Sequence, residues 1–290
     1  MPANALPALA CDCHVHVIDP RHPMVPERAY TPGPAAVQDL RAHLARLGLA
    51  RAVIVQPSVY GTDNQCLLES LAALPGAARG VAVADPQAGQ AELRRLHLGG
   101  VRGLRINLES LGRSDPQAIA GALRQWAGRI AGLGWHLQVY ASLDAIAQAA
   151  PLLAGLPVPI VLDHFAMIPA GTPLQDARVE RVLEMAASGM AYVKLSASYR
   201  IAGGGQAQDQ DQEQVAALAR ALLQANPARM LWASDWPHTN REPGKRPTEV
   251  SAYRRIAPSH LLREIHAWLP DAGLRRQVLA DNPARLYDFG

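Results

Sequence analysis

The chain has few cysteines and no long apolar run. Three cysteines among 290 residues, an odd number, give no disulfide framework. Cys11 and Cys13 would share one face of a strand, and we interpret them as small buried hydrophobic residues, which suits a reducing cytoplasm. No stretch reaches the roughly 18 apolar residues that span a bilayer, and residues 1–10 lack the basic and apolar segments of a secretory signal. We therefore expect a cytoplasmic protein with no membrane partner.

A strong charge imbalance is also missing. The net charge is +3 with both signs interspersed, which argues against a nucleic-acid partner or a membrane-surface patch. Hydrophobic residues at 49% and charged residues at 18% are typical of a globular protein with a sizeable core. No linker divides the sequence, so we predict one domain over residues 1–290.

Short apolar runs alternate with segments of helical spacing, such as Val37, Leu40, Leu44 and Leu47. Eight of the short apolar runs predict strands: Asp12–Ile18, Arg51–Gln56, Arg79–Ala84, Val101–Asn107, Trp135–Tyr140, Pro159–Asp163, Ala191–Leu195 and Arg229–Ala233. Parallel strands need crossover helices, and a right-handed series of eight can close on itself. The predicted fold is therefore α/β, a (β/α)8 TIM barrel.

Two imidazoles stand two residues apart in the first predicted strand, at His14 and His16. Residues two apart in a strand point to the same side, and unpartnered imidazole nitrogens are costly to bury. Either each ring has its own hydrogen-bond partner, or both share a metal or a substrate anion.

Barrels of this kind carry their active sites at the C-terminal ends of the strands, and polar residues collect at those ends here. They are Ser58 and Tyr60, Arg105, Tyr140, Asp163 and His164, Ser196, Tyr199 and Arg200, and Asp235. Because strand residues alternate in direction, we expect His164 to point inward and Asp163 to support it.

The most chemically capable set is His14, His16, His164 and Asp235. These residues could hold a single metal ion with an open position for water. Without a metal, Asp235 could act as a general base while the imidazoles polarise a carbonyl. Ser196 stands where a binuclear site would need another imidazole, and the arginines favour an anionic substrate.

Motifs throughout the chain resemble the amidohydrolase superfamily, in its "amidohydrolase 2" branch. The matching segments are Asp12–His16, Gly100–Asn107, Asp163–Phe165, Ser234–His238 and Asn282–Tyr287. Within this branch the sequence is similar to the lactonases that act on 2-pyrone-4,6-dicarboxylate and on sugar-acid or muconate-type lactones.

That resemblance implies hydrolysis of a lactone in a small carboxylate-bearing molecule, with Asp235 activating water and the three histidines around the carbonyl. It also implies substrate-binding roles, and our candidates are Tyr30, Ser58, Tyr60, Arg105, Tyr140, Arg200 and His238. Leu111, with Arg113 nearby, replaces an expected arginine, and Tyr60 replaces an expected histidine.

The pyrone lactonase works without a metal, so we expect no required cofactor. The alternative is a single zinc ion on His14, His16, His164 and Asp235. A metal-dependent amidohydrolase or decarboxylase, and a non-catalytic barrel that binds organic acids, remain alternative functions. The loop over residues 203–212 is interpreted as a lid or a disordered segment, and a homo-oligomer is left open.

Overall fold

Eight parallel strands form the centre of the computed structural model, which describes residues 5–107, 116–202 and 208–290. In chain order they are β1 (Cys11–Val15), β2 (Arg51–Val55), β3 (Ala78–Ala82), β4 (Val101–Asn107), β5 (His136–Tyr140), β6 (Ile160–Leu162), β7 (Ala191–Ser196) and β8 (Met230–Ala233). Each strand pairs with the next one along the chain. The predicted (β/α)8 barrel is confirmed, and most strand ends differ from the prediction by one or two residues.

Helices cover the outside of the barrel. They are α1 (Val37–Leu47), α2 (Gln65–Ala73), α3 (Gln90–Leu98), α4 (Pro116–Ile130), α5 (Leu143–Ala149), α6 (Ala177–Ala187), α7 (Gln208–Ala225), α8 (Pro258–Trp268), α9 (Ala272–Arg276) and α10 (Asn282–Tyr287). The last three follow β8, and a single helical turn, Ser198–Ile201, follows β7. Helix α1 buries Leu40, Leu44 and Leu47 on one face, as its spacing predicts. Among the helices described here, none is both long and apolar enough to cross a membrane.

The first and last strands meet through a seam of hydrogen bonds. The His16 amide donates to the Trp236 carbonyl at 2.8 Å, and the Asp235 amide donates to the His14 carbonyl at 3.1 Å. The buried Asp12 side chain adds to the seam, since its Oδ1 accepts from the amides of His14 at 3.2 Å and Ser234 at 2.9 Å. Closure of the barrel therefore brings His14 next to Asp235.

The N-terminal end of the barrel is filled with side chains. Tyr287 and Phe289 from the end of the chain pack there with Cys11 and Cys13. Cys11 and Cys13 are buried and free, which confirms their interpretation as core residues, and Cys66 is also buried and free. A substrate site within the barrel would therefore lie at the opposite, C-terminal end.

Two features differ from the sequence prediction. Helix α7 already begins at Gln208, inside the loop predicted over residues 203–212, and residues 203–207 lie outside the described part of the chain. In addition, Thr31–Pro32 pairs with Val250–Ser251 as a small parallel ribbon, which the proline-rich sequence around Thr31 did not indicate.

Candidate active site

Three imidazoles and one carboxylate converge at the C-terminal end of the barrel. We call His14, His16, His164 and Asp235 the imidazole cluster. The Nε2 atoms of His14 and His16 lie 3.3 Å apart. Asp235 Oδ1 lies 3.8 Å from each of them and 3.9 Å from His164 Nε2. The structure thus brings together all four residues that the sequence suggested for chemistry.

Unusual backbone conformations place two members of the cluster. His164 has φ 49° and Asp235 has φ 63°, in the left-handed region that residues other than glycine rarely adopt. Left-handed values continue through Phe165, Ala166 and Met167, at a cost of about 1–3 kcal/mol each. Strain of this kind is typical of functional sites. Strand β6 ends at Leu162. His164 Nε2 faces the cluster, and Asp163 lies beneath it with its Oδ1 3.2 Å from His14 Nδ1.

Each imidazole is oriented through its Nδ1 atom. His16 Nδ1 lies 2.8 Å from the Val55 carbonyl, and His164 Nδ1 lies 2.9 Å from Ser196 Oγ. His14 Nδ1 has two neighbours at 3.2 Å, Asp163 Oδ1 and Lys194 Nζ. The Nε2 atoms are consequently the ones that face the centre of the cluster.

The two oxygens of Asp235 are used differently. Oδ2 accepts hydrogen bonds from the Tyr199 hydroxyl at 2.7 Å and from Arg200 Nε at 2.8 Å. Oδ1 is buried and has no hydrogen-bond partner within the described ranges. Burial would raise the pKa of Asp235, but the Arg200 guanidinium and the nearby imidazoles hold that pKa well below its usual value. Asp235 is therefore an ionised carboxylate with one oxygen available.

A second charged group lies beneath the cluster. Asp163 Oδ2 contacts Gln138 Nε2 at 3.1 Å and Arg105 at 3.4 Å, and Asp163 Oδ1 lies 3.3 Å from Lys194 Nζ. Lys194 also donates to Gln138 Oε1 at 2.7 Å. Sequence reasoning missed Gln138 and Lys194. Their signal was a polar residue flanked by apolar ones in the middle of a buried strand.

Burial keeps the imidazoles neutral. It lowers the pKa of both His16 and His164 to about 4, although Asp235 acts in the opposite direction on each. Burial also lowers the pKa of His14 well below its usual value, and the Lys194 ammonium adds to that effect. At neutral pH the imidazoles are polar hydrogen-bonding groups, not cations.

Most of the predicted substrate-binding residues surround this cluster. Arg105 stacks over the Tyr140 ring at 5.4 Å, and its buried Nε has no hydrogen-bond partner in the described part of the chain. The Tyr140 ring lies 5.6 Å from that of His164. Tyr30 lies beside Thr239 and Arg200. Tyr140 thus adjoins His164, and Tyr30 adjoins the Arg200 side chain that pairs with Asp235.

Three further candidates have different surroundings. His238 is buried, and the centroid of its ring lies 6.1 Å from that of the Tyr199 ring. Its Nδ1 has no hydrogen-bond partner among the described residues. Ser58 begins the short turn that follows β2. The Tyr60 hydroxyl instead donates to the Asp19 carbonyl at 2.8 Å, so it holds a loop and is not brought to the cluster. Leu111 and Arg113 lie outside the described residues.

The donor set suits a single divalent metal in composition and spacing. Ligand atoms on tetrahedral zinc are about 3.3 Å apart at ordinary bond lengths, close to the separations of His14 Nε2, His16 Nε2 and Asp235 Oδ1. Carboxylate and carbonyl partners on the far side of His14 and His16 are also usual for ligating histidines. The charges work against a cation, however, because Arg200 already pairs with Asp235, and Lys194 with Asp163.

Comparison with known proteins gives one consistent family. The chain is 33% identical to a 2-pyrone-4,6-dicarboxylate hydrolase of Comamonas testosteroni, covering 99% of this chain and 92% of the relative. It is 31% identical to a 4-sulfomuconolactone hydrolase of Rhizobium radiobacter, covering 98% and 91%.

A solved structure and a family model agree with these relatives. The structure of a candidate 2-pyrone-4,6-dicarboxylic acid hydrolase from Pseudomonas putida superposes with a TM-score of 0.83 at 29% identity, covering 98% of this chain and 99% of that one. The amidohydrolase family model matches residues 11–289. The chain therefore belongs to the amidohydrolase family.

Proposed function

We propose that this protein hydrolyses the ring ester of a small lactone that carries at least one carboxylate. The observation that carries the proposal is a pair of unused buried groups at the barrel mouth. Asp235 Oδ1 can accept a proton, and Arg105 Nε can donate a hydrogen bond, but neither has a partner among the described residues. A water molecule and an anionic substrate would supply the missing partners. The lactone hydrolases among the relatives support the same reaction class.

In this proposal Asp235 is the general base. Its Oδ1 takes a proton from water, and the water oxygen forms a bond to the lactone carbonyl carbon. The carbonyl oxygen becomes an oxyanion, which an imidazole N–H of the cluster stabilises. Collapse of this intermediate breaks the ring C–O bond, and the departing oxygen takes the proton from Asp235. The product is the open-chain hydroxy acid, and the carboxylate is regenerated.

Substrate carboxylates are assigned to the cationic side of the site. Two buried carboxylates, Asp163 and Asp235, face three cations, Arg105, Lys194 and Arg200, so these five groups carry one excess positive charge. Guanidinium groups bind carboxylates in a bidentate manner. We assign substrate contacts to Arg105 and Arg200, assisted by Tyr30, Ser58, Tyr140 and His238.

Arg200 has a further role in this scheme, because it touches both the base and the proposed carboxylate position. In the structure Arg200 Nε donates to Asp235 Oδ2, and Arg200 Nη2 donates to Thr239 Oγ1 at 3.0 Å. A substrate carboxylate that draws the guanidinium away would remove the main cause of the low pKa of Asp235. Substrate binding would thereby make Asp235 a stronger base.

We propose that no metal is required. If one were bound, His14, His16, His164 and Asp235 would hold it, and it would lower the pKa of water and polarise the carbonyl. The spacing of these ligands favours a metal-dependent hydrolase or decarboxylase of the same family as the second candidate function. The excess positive charge favours the metal-free lactonase.

The test is a panel of lactones offered to the purified protein. Each carboxylate-bearing lactone, including 2-pyrone-4,6-dicarboxylate and muconate-type and sugar-acid lactones, is paired with its neutral methyl ester. Rapid ring opening of at least one carboxylate compound, and little of its ester, is expected. An Arg105→Met variant should lose most of this preference. Absence of hydrolysis across the panel, with and without added zinc, would overturn the proposal.

A further inference from the structure

Lys194 is a fully buried cation to which the proposed reaction assigns no step. Its ammonium group is fully buried in β7 and has three acceptors in reach, one for each of its N–H bonds. These are Gln138 Oε1 at 2.7 Å, His14 Nδ1 at 3.2 Å and Asp163 Oδ1 at 3.3 Å. Burying an ammonium group is costly, and this one is directed at an imidazole of the proposed active site.

The hydrogen on His14 is determined by its neighbours. His16 Nδ1 faces the Val55 carbonyl, which can only accept, so a neutral His16 carries its hydrogen on Nδ1 and leaves Nε2 bare. His14 Nε2 lies 3.3 Å from this bare nitrogen. The contact is favourable only if His14 carries its hydrogen on Nε2. His14 Nδ1 is then bare and accepts from Lys194.

The opposite tautomer has a different consequence. With its hydrogen on Nδ1, His14 would donate to Asp163 Oδ1 at 3.2 Å. The Nε2 lone pairs of His14 and His16 would then face each other beside Asp235 Oδ1, an arrangement that a metal cation would stabilise. Lys194 and Asp163 therefore compete for the same nitrogen, and they favour opposite tautomers.

We propose that Lys194 is a positioning residue that keeps the His14 hydrogen on Nε2, where it is donated to His16 Nε2 in the free site and to the lactone carbonyl oxygen once substrate is bound. The catalytic meaning of this assignment rests on the proposed lactone hydrolysis. The tautomer itself does not, and it is measured without substrate. Lys194 would thus set the site for metal-free chemistry.

The direct test is histidine-selective nitrogen NMR of the wild-type protein, with the His14 signals identified by their loss in His14→Gln. The expected result is hydrogen on Nε2 and a bare Nδ1. Hydrogen on Nδ1 would overturn the proposal. This measurement needs neither turnover nor a variant of Lys194.

A pair of variants gives a second test with opposite expected signs. Lys194→Met removes the donor and leaves Asp163 to accept from His14, so zinc should bind about 10–100 times more tightly than to wild type. Asp163→Asn removes the anionic acceptor and should weaken zinc binding by a similar factor. Both changes remove one buried charge from the same network, so each controls for the disturbance caused by the other.

Calorimetric zinc titration measures both affinities. Equal affinities in Lys194→Met and wild type, or changes of the same sign in the two variants, would overturn the assignment. In a metal-free assay Lys194→Met should lower kcat more than it changes KM, because the carbonyl donor acts chiefly in the transition state. Failure of the lactone assay alone, with the tautomer and zinc results as expected, would reject the proposed substrate and not the role of Lys194.

Discussion

Tyr199 shows how much a single hydroxyl contributes at the residue scale. Its O–H donates to Asp235 Oδ2 at 2.7 Å, beside the Arg200 contact to the same oxygen. Together these two donors fix the direction of Asp235 Oδ1. Tyr199→Phe removes a hydrogen bond to a charged group, worth about 1.5–3 kcal/mol. We predict a fall in kcat/KM of about tenfold to a hundredfold, measured by initial rates.

Tyr192→Phe is the matched control, because it also removes a tyrosine hydroxyl, but from β7 at the N-terminal end of the barrel. The Tyr192 hydroxyl accepts from Arg229 at 2.6 Å and packs with the core there. Its activity should equal that of wild type. Equal kcat/KM in Tyr199→Phe and Tyr192→Phe would contradict the role assigned to Tyr199.

At the scale of elements, the seam between β1 and β8 is the join that creates the site. Asp12 Oδ1 accepts from the Ser234 amide across the seam and from the His14 amide on its own strand, and Asp12 Oδ2 lies 3.4 Å from His43 Nε2. Asp12→Ala leaves the amides of His14 and Ser234 buried without this acceptor. We predict a loss of about 3 kcal/mol in the free energy of unfolding and a lower kcat, measured by urea unfolding and initial rates.

A helix-capping aspartate provides the comparison for this variant. Asp271 accepts from the Leu274 amide at the start of α9, away from the seam. Asp271→Ala should cost about 1 kcal/mol and leave turnover unchanged. If Asp12→Ala were no more destabilising than Asp271→Ala, the seam would not depend on Asp12.

Element-scale features also divide what the sequence could predict from what it could not. The strands were predictable because their apolar runs fill the barrel. His14 was predictable because it lies two residues from His16 in such a run, and Asp235 because it follows the last one. The left-handed backbone from His164 to Met167 was not, since this segment contains no glycine to indicate it. Lys194 was missed because its acceptors come from three other parts of the chain.

For the whole molecule, buried neutral histidines make stability depend on pH. Burial lowers the pKa of five of them: His14, His16, His136, His164 and His238. For His16, His164 and His238 the folded value is about 4, and an unfolded histidine titrates near 6.5. Between these values the unfolded chain binds more protons, so stability falls as the pH drops from about 6.5 toward 4.

The size of this effect can be measured by urea unfolding at pH 7, 6 and 5. Each proton taken up on unfolding changes the free energy of unfolding by about 1.4 kcal/mol per pH unit. We expect unfolding near pH 5 to be accompanied by the uptake of at least two protons by histidines. A free energy of unfolding that stays constant from pH 7 to pH 5 would show that the histidines are not held neutral by burial.

The whole site is proposed to hydrolyse a carboxylate-bearing lactone with Asp235 as the base and with no metal. The most direct measurement is the initial rate of lactone ring opening by wild type and by Asp235→Asn, both after removal of metals by a chelator. We predict that wild type keeps its full rate and that Asp235→Asn, still folded, loses about 10²–10⁴-fold in kcat. An active Asp235→Asn variant, or a wild type that is inactive until zinc is restored, would contradict the proposal.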